Sequence, residues 1–599
     1  MAQLPESLRL DLADALTGDV ELLADLLQRA GAAVLDAEAQ LQHLLLPGRQ
    51  GAQHVHQLLL QQVEAGGLAS TTVAEPSEQE LEKEVKKASE QNRRYIRPSE
   101  LVAFLLTTFG QKNLDQFVNA YRQFFMISFL GISGRAYGLI VFIESIYDAV
   151  DDSLSGLIID RTRTRWGRLR PYMIITVPIW GLATLMLFTT PQFLSGNTSR
   201  IVWAVIAIFA YNLGMSYFNA WQILLYNITP SLRERDNLIA TSKFFELFGT
   251  WIPAFVPIFV SFMPKISKSI GMQDVYSGFA VAMMVIAGGT AIYGFFAMRE
   301  RVPLASREQM QEISVLDSFK NAVKNKPMFI LMLANFFNGF KSVGASTESF
   351  FWLHNTGSLA NGTIAGLFTG IPNFIITPIT PKLIHKFGAR NTAIGAGIFG
   401  GIAYTLMFII GYAPFGSYSG AERYKNFSGG SGVANMVYIT IMLTICGLPN
   451  CIIRVCQAVL QGDVYDYSEW KYGVRNEGLV ATVSNYFTKL ANAVTGLLSG
   501  LVITFVGYTS HKDALGNVLR DTSPKVLMGF FAVFALMPAI ARFLFGIILI
   551  FFNVHGKFKE DMMKELEERR LERVRKMTEE EKALESSDAN GEIPVNADN

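Results

Sequence analysis

The chain has 599 residues, half of them hydrophobic and only 17% charged, with 44 phenylalanines; soluble proteins of this length rarely combine these values, so a polytopic membrane protein is expected. The formal net charge of +1 carries no message about partners, because charge is confined to short loops between apolar runs of about 20 residues, the length that spans a hydrocarbon core of roughly 30 Å. No CxxC pair, histidine cluster or disulfide framework marks a metal or redox site, and no nucleophile–base pair or glycine-rich phosphate loop marks an enzyme.

Residues 1–75 contain no Phe, Tyr, Trp, Ile, Lys, Asn or Cys and carry three Arg against ten Asp and Glu, whereas the chain from Asn92 onward is rich in several of these types. Leucines at helical spacing in LRLDLADALTGDVELLADLLQRA predict short soluble helices. The charged start, apolar core and cleavage site of a signal peptide are lacking. An appended acidic helical segment with the character of a fusion is expected, together with a cytoplasmic partner for it. His54 and His56 form a lone HxH, too weak a pattern for a metal site. Residues 76–100, which include SEQELEKEVKKASEQNRRY, read as a charged cytoplasmic linker.

Apolar stretches follow near 101–128, 132–159, 171–190, 200–226, 240–263 and 275–298, then near 328–354, 362–385, 391–412, 434–460, 478–507 and 525–553. They predict an all-α membrane protein with an N-terminal six-helix bundle over 101–298, a central cytoplasmic loop at 299–327, a C-terminal bundle over 328–553 and a charged tail at 554–599. Basic loops follow the even-numbered spans: RTRTRWGRLR, LRERD, MRERVPLASRE, HKFGAR and EWKYGVR. The positive-inside rule then places both termini in the cytoplasm, for a protein of the plasma or inner membrane. Span two ends in GLIIDRTRTRWGRLR and span eight in PKLIHKFGARNT, a basic turn at matching positions of the two halves, as expected of a transporter built from repeats. Cys446, Cys451 and Cys456 lie in one apolar run, where small polarisable side chains fill space. The tail KFKEDMMKELEERRLERVRKMTEEEKALE reads as a solvated helix of alternating charge, and the last residues as disordered.

Span two carries the acids of ESIYDAVDDSLSGLIID. A carboxylate at the bilayer centre costs roughly 3 kcal/mol on insertion scales, so an acid at that depth is a functional hypothesis. Asp148 and Asp152 are four residues apart, which stacks them about 6 Å apart on one helix face, where they can coordinate one cation or share one proton. Counting from Asp160 at the membrane edge, Asp148 lies about 18 Å deep and Asp152 about 12 Å. Glu144 continues the stripe and Asp151 sits slightly round the helix. The alternative is an acid pair that pins helices together through basic partners.

The run GLIIDRTRTRWGRLRPY resembles the loop between helices two and three of the major facilitator superfamily, and more narrowly that of the glycoside-pentoside-hexuronide cation symporters typified by the melibiose permease. GDVYDYSEWKYGVRNEG, Gly462 to Gly478, is close to that family's stretch between helices ten and eleven, and DAVDD resembles its paired cation-site aspartates. The resemblance runs from about Leu101 to Phe552. It implies the major facilitator fold, twelve transmembrane helices in two bundles, and transport by alternating access. Asp160, Arg161, Arg165 and Arg168 would form the gating motif of the first half, with Asp466, Glu469 and Arg475 as that of the second.

The family completes its cation site with acids on helices one and four, and here the pattern departs. Lys112, or Asn113 with one insertion, falls at the helix-one position and Asn219 at the helix-four position. A sodium ion needs several oxygens of high charge density, so the co-transported ion reads as a proton rather than sodium, with Asp148, Asp152 and Lys112 as coupling residues; a lysine standing in for the cation would leave a facilitator. No cofactor is implied.

Lys243 aligns with a family arginine of the sugar site and Lys489 with a family lysine on helix eleven. Three lysines against two aspartates leave one surplus positive charge, which an anionic substrate would balance. Trp221, Tyr121 and Trp352 are candidates for packing on a sugar's C–H surface, while Asn219 and Asn485 can donate to and accept from hydroxyls. The resulting reading is a proton-coupled symporter of a glycoside or sugar acid, in contact with membrane lipid and with no nucleic-acid partner. Alternatives are a non-transporting membrane sensor on a transporter fold and a lysophospholipid carrier.

Overall fold

A computed structural model describes residues 95–229, 232–267, 269–301, 325–412, 430–473 and 477–589. The expected N-terminal segment 1–75 with His54 and His56, nearly all of the linker, most of the central loop, Arg475 and the last ten residues lie outside the described residues. Helix dominates what is described, with two isolated bridges, Thr164 with Gly167 and Lys512 with Val518.

The first half comprises α1 (Pro98–Phe125), α2 (Gly134–Arg161), α3 (Arg170–Leu187), α4 (Asn197–Ile223), α5 (Leu232–Phe248), α6 (Trp251–Ile266) and α7 (Met272–Ala297). The second comprises α8 (Lys326–Thr356), α9 (Ala360–Thr369), α10 (Ala389–Tyr412), α11 (Gly430–Tyr472), α12 (Glu477–Val506) and α13 (Pro524–Leu549), followed by the tail helix α14 (Gly556–Ala589). Among the described residues, eight segments are long and apolar enough to cross a membrane: α3, α4, α7, α8, α13 and most of α10, α11 and α12. α1 and α2 are each 28 residues long, but carry internal charges that the others largely lack.

Local chemistry sets the helix ends. α1 begins with Pro98 in its first turn, where the missing N–H costs nothing. It ends through a five-residue π-helical turn, Met126–Leu130, which closes on Gly131 at φ +79°, a left-handed conformation that favours glycine. Ser133 caps α2 by accepting from the Ala136 N–H at 3.2 Å.

Two predicted spans are broken in the structure. The fifth divides into α5 and α6 around Gly249, where an added Cβ would collide with the Lys112 side chain of α1; glycine lets the two helices cross closely. The eighth divides into α9 and two short helices, Ile371–Ile376 and Thr380–Phe387, because Gly370, Pro372, Pro378 and Pro381 interrupt the hydrogen-bond ladder. Hydropathy registers neither break, since the breakers are embedded in apolar sequence.

The two halves meet closely at one end. Gly134 and Gly138 of α2 face Gly500 of α12, and a Cβ on Gly138 would lie 2.8 Å from the Leu497 carbonyl oxygen; small residues permit this approach, as in other membrane helix pairs. At the same end Thr363 Oγ1 of α9 donates to the Ala254 carbonyl of α6 at 2.7 Å, the Met272 N–H donates to Asn517 Oδ1 at 2.8 Å, and Ser128 and Tyr508 hydroxyls lie 3.3 Å apart. The buried ring of Phe350 packs on Phe124 from the first half and Tyr508 from the second. The α2–α12 contact runs from this end down to Lys489. Further along α2, Leu154 and Ile158 are exposed and a Cβ at Gly156 would meet nothing within 4 Å.

The tail corrects an expectation. α14 is docked rather than simply solvated: Lys559 pairs with Asp463 at 2.6 Å, and Arg570 pairs with Asp466 at 3.0 Å and Glu469 at 2.5 Å. Met562 and Leu566 are buried one turn apart, and Phe558 packs edge-on against Trp470. The dense alternation of charge conceals this narrow apolar stripe, which has one residue per turn.

Candidate functional site

α2 presents Asp148 and Asp152 toward α12, and Lys489 bridges them. Its Nζ lies 3.0 Å from Asp148 Oδ2 and 2.5 Å from Asp152 Oδ2, and donates to the Asp148 carbonyl at 2.8 Å. The lysine side chain is 20% exposed and the aspartates 35% and 54%. The glycine contacts above the triad bring the helix backbones close enough for one lysine to span both acids. Two carboxylates against one ammonium leave the triad one negative charge in excess.

The remaining acids of α2 are arranged differently. Glu144 is buried and pairs with Arg122 of α1 at 2.9 Å, and the Asn212 side-chain amide of α4 donates to the same carboxylate. Asp151 is buried within the first half, and its Oδ2 makes no hydrogen bond among the described residues. α1 also carries an acid that the comparison of helix-one positions passed over: Asp115 accepts from the Tyr211 hydroxyl at 3.3 Å. Asn113 is fully buried and donates to the Phe109 carbonyl.

The surplus-charge count is corrected by these partners. Lys243 is 68% exposed and pairs with Glu246, one turn along α5, at 3.0 Å, a carboxylate that the count omitted. Lys489 is taken by the two aspartates, and Lys112 lies at the crossing of α1 with Gly249 rather than in the triad. The three lysines do not converge.

Of the sugar candidates, Trp221 and Tyr121 are buried and their polar atoms are engaged. Tyr121 donates to the Pro253 carbonyl at 2.7 Å. Trp221 Nε1 donates to Gln111 Oε1 at 3.0 Å and its ring packs edge-on against Phe104. The Gln111 amide donates in turn to Asn219 Oδ1, so Trp221 acts on Asn219 through Gln111. Asn219 is exposed, as is Asn485, one turn before Lys489 on α12.

Trp352 lies elsewhere, on the wall of a cavity of about 570 Å³ formed wholly by the second half. Its Nε1 donates to Glu348 Oε1 at 2.9 Å, and Gly362 lies so close that a Cβ there would approach the indole Cδ1 to 2.6 Å. The same cavity is lined by Lys341, Tyr404, Asn450, Arg454, Gln457 and Arg542. Sequence reasoning missed this group, although its signal was present: three basic residues inside predicted spans seven, ten and twelve.

The two loops expected as gating motifs are held within their own halves among the described residues. Glu300, following α7, accepts the N–H groups of Arg168, Leu169 and Arg170 at 3.0, 2.8 and 3.1 Å. Gly167, at φ +103°, leaves room for that carboxylate. Arg165 stacks over Trp166 at 4.6 Å and Arg161 is exposed. In the second half, Asp466 and Glu469 hold Arg570 of the tail, and hydrogen bonds to these two acids, Glu469 first, raise the Arg570 guanidinium pKa above its usual range. The side chain of Asp160 lies outside the described residues. Cys446, Cys451 and Cys456 are buried free thiols, and no cluster of three metal-ligating side chains occurs among the described residues.

Residues 103–556 match the family described as MFS/sugar transport protein. The isoprimeverose transporter of Lactiplantibacillus pentosus is 24% identical over 482 residues, covering 79% of this chain and 91% of that protein. The glucuronide carrier protein homolog of Escherichia coli K12 is 22% identical over 474 residues, covering 76% and 93%. Among solved structures, a bacterial homolog of the human lysosomal transporter Spinster superposes with a TM-score of 0.51 at 12% identity, over 76% of this chain and 97% of its own. A mutant of the nucleoside transporter NupG gives 0.50 at 13%, over 75% and 99%. These likenesses show the fold.

Proposed function

This chain belongs to the glycoside-pentoside-hexuronide symporters of the major facilitator superfamily, and from that premise we propose that it moves a glycoside or sugar acid together with a proton, using Asp148, Asp152 and Lys489 as the coupling group. It is a multi-pass membrane transporter and not an enzyme. The observation that carries the coupling proposal is the Lys489 bridge between two aspartates across the junction of the halves.

The triad holds one uncompensated negative charge in a setting where charge is costly. A proton taken up by one of the two carboxylates removes that charge and weakens the hold on Lys489. α2 and α12 are then clamped less firmly, and the halves can rock about the site as alternating access requires. Sodium is the weaker candidate, because Lys489 already bridges the carboxylates and Lys112, or Asn113 with one insertion, and Asn219 fall at the positions of the family's two other acids.

The basic loops that follow alternate spans support cytoplasmic termini, with the end where the halves meet closely facing outward. The cavity in the second half offers hydrogen-bonding groups that suit a sugar at Tyr404, Asn450 and Gln457, beside the largely buried Trp352. In proteoliposomes an inward proton gradient is expected to drive sugar accumulation more strongly than a sodium gradient. Sodium-driven accumulation without pH dependence would overturn the proton assignment.

A further inference from the structure

The cavity in the second half contains an uncompensated pair of positive charges. Lys341 on α8, Arg454 on α11 and Arg542 on α13 line it with a single acid, Glu348, and that acid already accepts the Trp352 indole N–H. Three cations against one carboxylate leave two positive charges in excess. None of the three basic residues makes an ion pair among the described residues. Arg542 is 1% exposed; its Nη1 donates to Asn338 Oδ1 at 2.7 Å while its Nε has no partner.

A buried cation such as Arg542 persists at membrane depth when a counter-charge meets it, and among the described residues no second acid lines this cavity. Guanidinium groups bind carboxylates and sulfonates through parallel N–H donors. With about 570 Å³ available, the space lies within the roughly 300–1,000 Å³ of small-molecule pockets. The helix that carries Lys341 packs on the one that carries Lys489: an added Cβ on Gly339 of α8 would lie 3.3 Å from the Ala491 Cβ of α12.

We propose that this cavity is an anion subsite in which Lys341, Arg454 and Arg542 receive the acidic group of a sugar acid, so that the substrate is an acidic glycoside rather than a neutral one. The inference rests on the sugar-transport reading and adds the charge of the substrate and the residues that sense it. The neutral parts of the sugar lie toward Trp352 and Asn450, whose Oδ1 has no partner among the described residues.

The test uses the full-length protein in nanodiscs and proteoliposomes with four probes: methyl β-D-glucuronide and methyl β-D-galacturonide, and the corresponding neutral glucoside and galactoside. Each pair differs only in the carboxylate at the terminal carbon. At least one glucuronide or galacturonide is expected to bind at least tenfold more tightly than its neutral counterpart. Arg454→Gln and Lys341→Gln, both on the open wall of the cavity, are expected to weaken the acidic sugar at least tenfold more than the neutral one. Arg542→Lys, which keeps the buried charge, is the companion to Arg542→Gln, whose fold is checked by thermal unfolding.

Equal binding of acidic and neutral sugars, preference for the neutral member, or equal losses for both in Arg454→Gln and Lys341→Gln would overturn the inference while leaving sugar transport in place. Failure of all four probes to bind and to be taken up would overturn the sugar reading itself, and the subsite with it.

Discussion

Glu144 and the pair Asp148 and Asp152 lie within three turns of the same helix, yet their surroundings differ in kind. Glu144 is sealed inside the first half with Arg122 and Asn212; every partner moves with it as one body. Asp148 and Asp152 find their counter-charge on α12, in the other half. An ion pair within a rigid bundle survives any rocking of the two halves and contributes to the fold, whereas a pair across the junction is remade when the halves separate. Acids on one helix therefore divide by which half supplies their partner, and the proposed coupling role falls to the pair whose partner lies across the junction.

The largest effect that would break this division is in transport. Asp148→Asn and Asp152→Asn are each expected to abolish concentrative uptake while the protein remains monodisperse and thermally stable, since Lys489 retains one carboxylate. Proteoliposome uptake with size-exclusion profiles checks both halves of the statement; residual gradient-driven accumulation in either variant would remove the triad from the coupling role.

Glu144→Gln is expected to do the reverse. It leaves the Arg122 guanidinium buried without a counter-charge, a loss on the order of 3 kcal/mol, read as a lowered unfolding temperature in detergent. Transport by the protein that remains folded should still follow the proton gradient. A stable but uncoupled Glu144→Gln variant would place the inner pair in the mechanism as well.

The tail provides a smaller test of a pair at the edge of one half. Arg570→Gln removes partly exposed contacts to Asp466 and Glu469, worth about 1 kcal/mol, and should speed hydrogen exchange over residues 556–572. The same docking should weaken in acid. The hydrogen bond from Trp470 Nε1, and then Arg569, hold the Glu565 carboxyl below its ordinary value of 4.5. A depressed folded-state pKa contributes stability that is present above the ordinary value and lost as pH falls through the depressed one. Exchange, corrected for intrinsic rate, should thus stay flat from neutrality to the ordinary glutamate range and rise below it.

Lys243→Gln should have the smallest effect. Its partner Glu246 is on the same helix and the lysine is mostly exposed, so stability should change by no more than about 0.5 kcal/mol and the choice between acidic and neutral sugar should not change. A selective loss of the acidic sugar here would restore Lys243 to substrate recognition and weaken the case for the cavity of the second half.

The membrane class and the shared helix face of Asp148 and Asp152 were legible in the linear chain because each rests on a local rule. Twenty apolar residues must span, basic loops must follow alternate spans, and acids four apart must share a helix face. The charge count failed because it assigned lysines to a common cavity without knowing their neighbours. Glu246 is three residues from Lys243 and was visible, but whether an i,i+3 pair forms depends on what else each side chain can reach. Arg122 for Glu144, Arg570 for Asp466 and Glu469, and Glu300 for the loop at Arg168 lie 22 to 132 positions away.

By itself, then, the sequence determined the solvent in which this chain folds and the helix face that Asp148 and Asp152 share, consequences of hydropathy and helical period, and its motifs determined the family. Only the tertiary structure decided which charges neutralise one another. Lys489 is committed to the triad, while Lys341, Arg454 and Arg542 gather around a cavity with one acid among them. The physical reason is that electrostatic partners are fixed at distances of a few ångströms, whereas helix packing brings to those distances residues that sequence spacing does not relate.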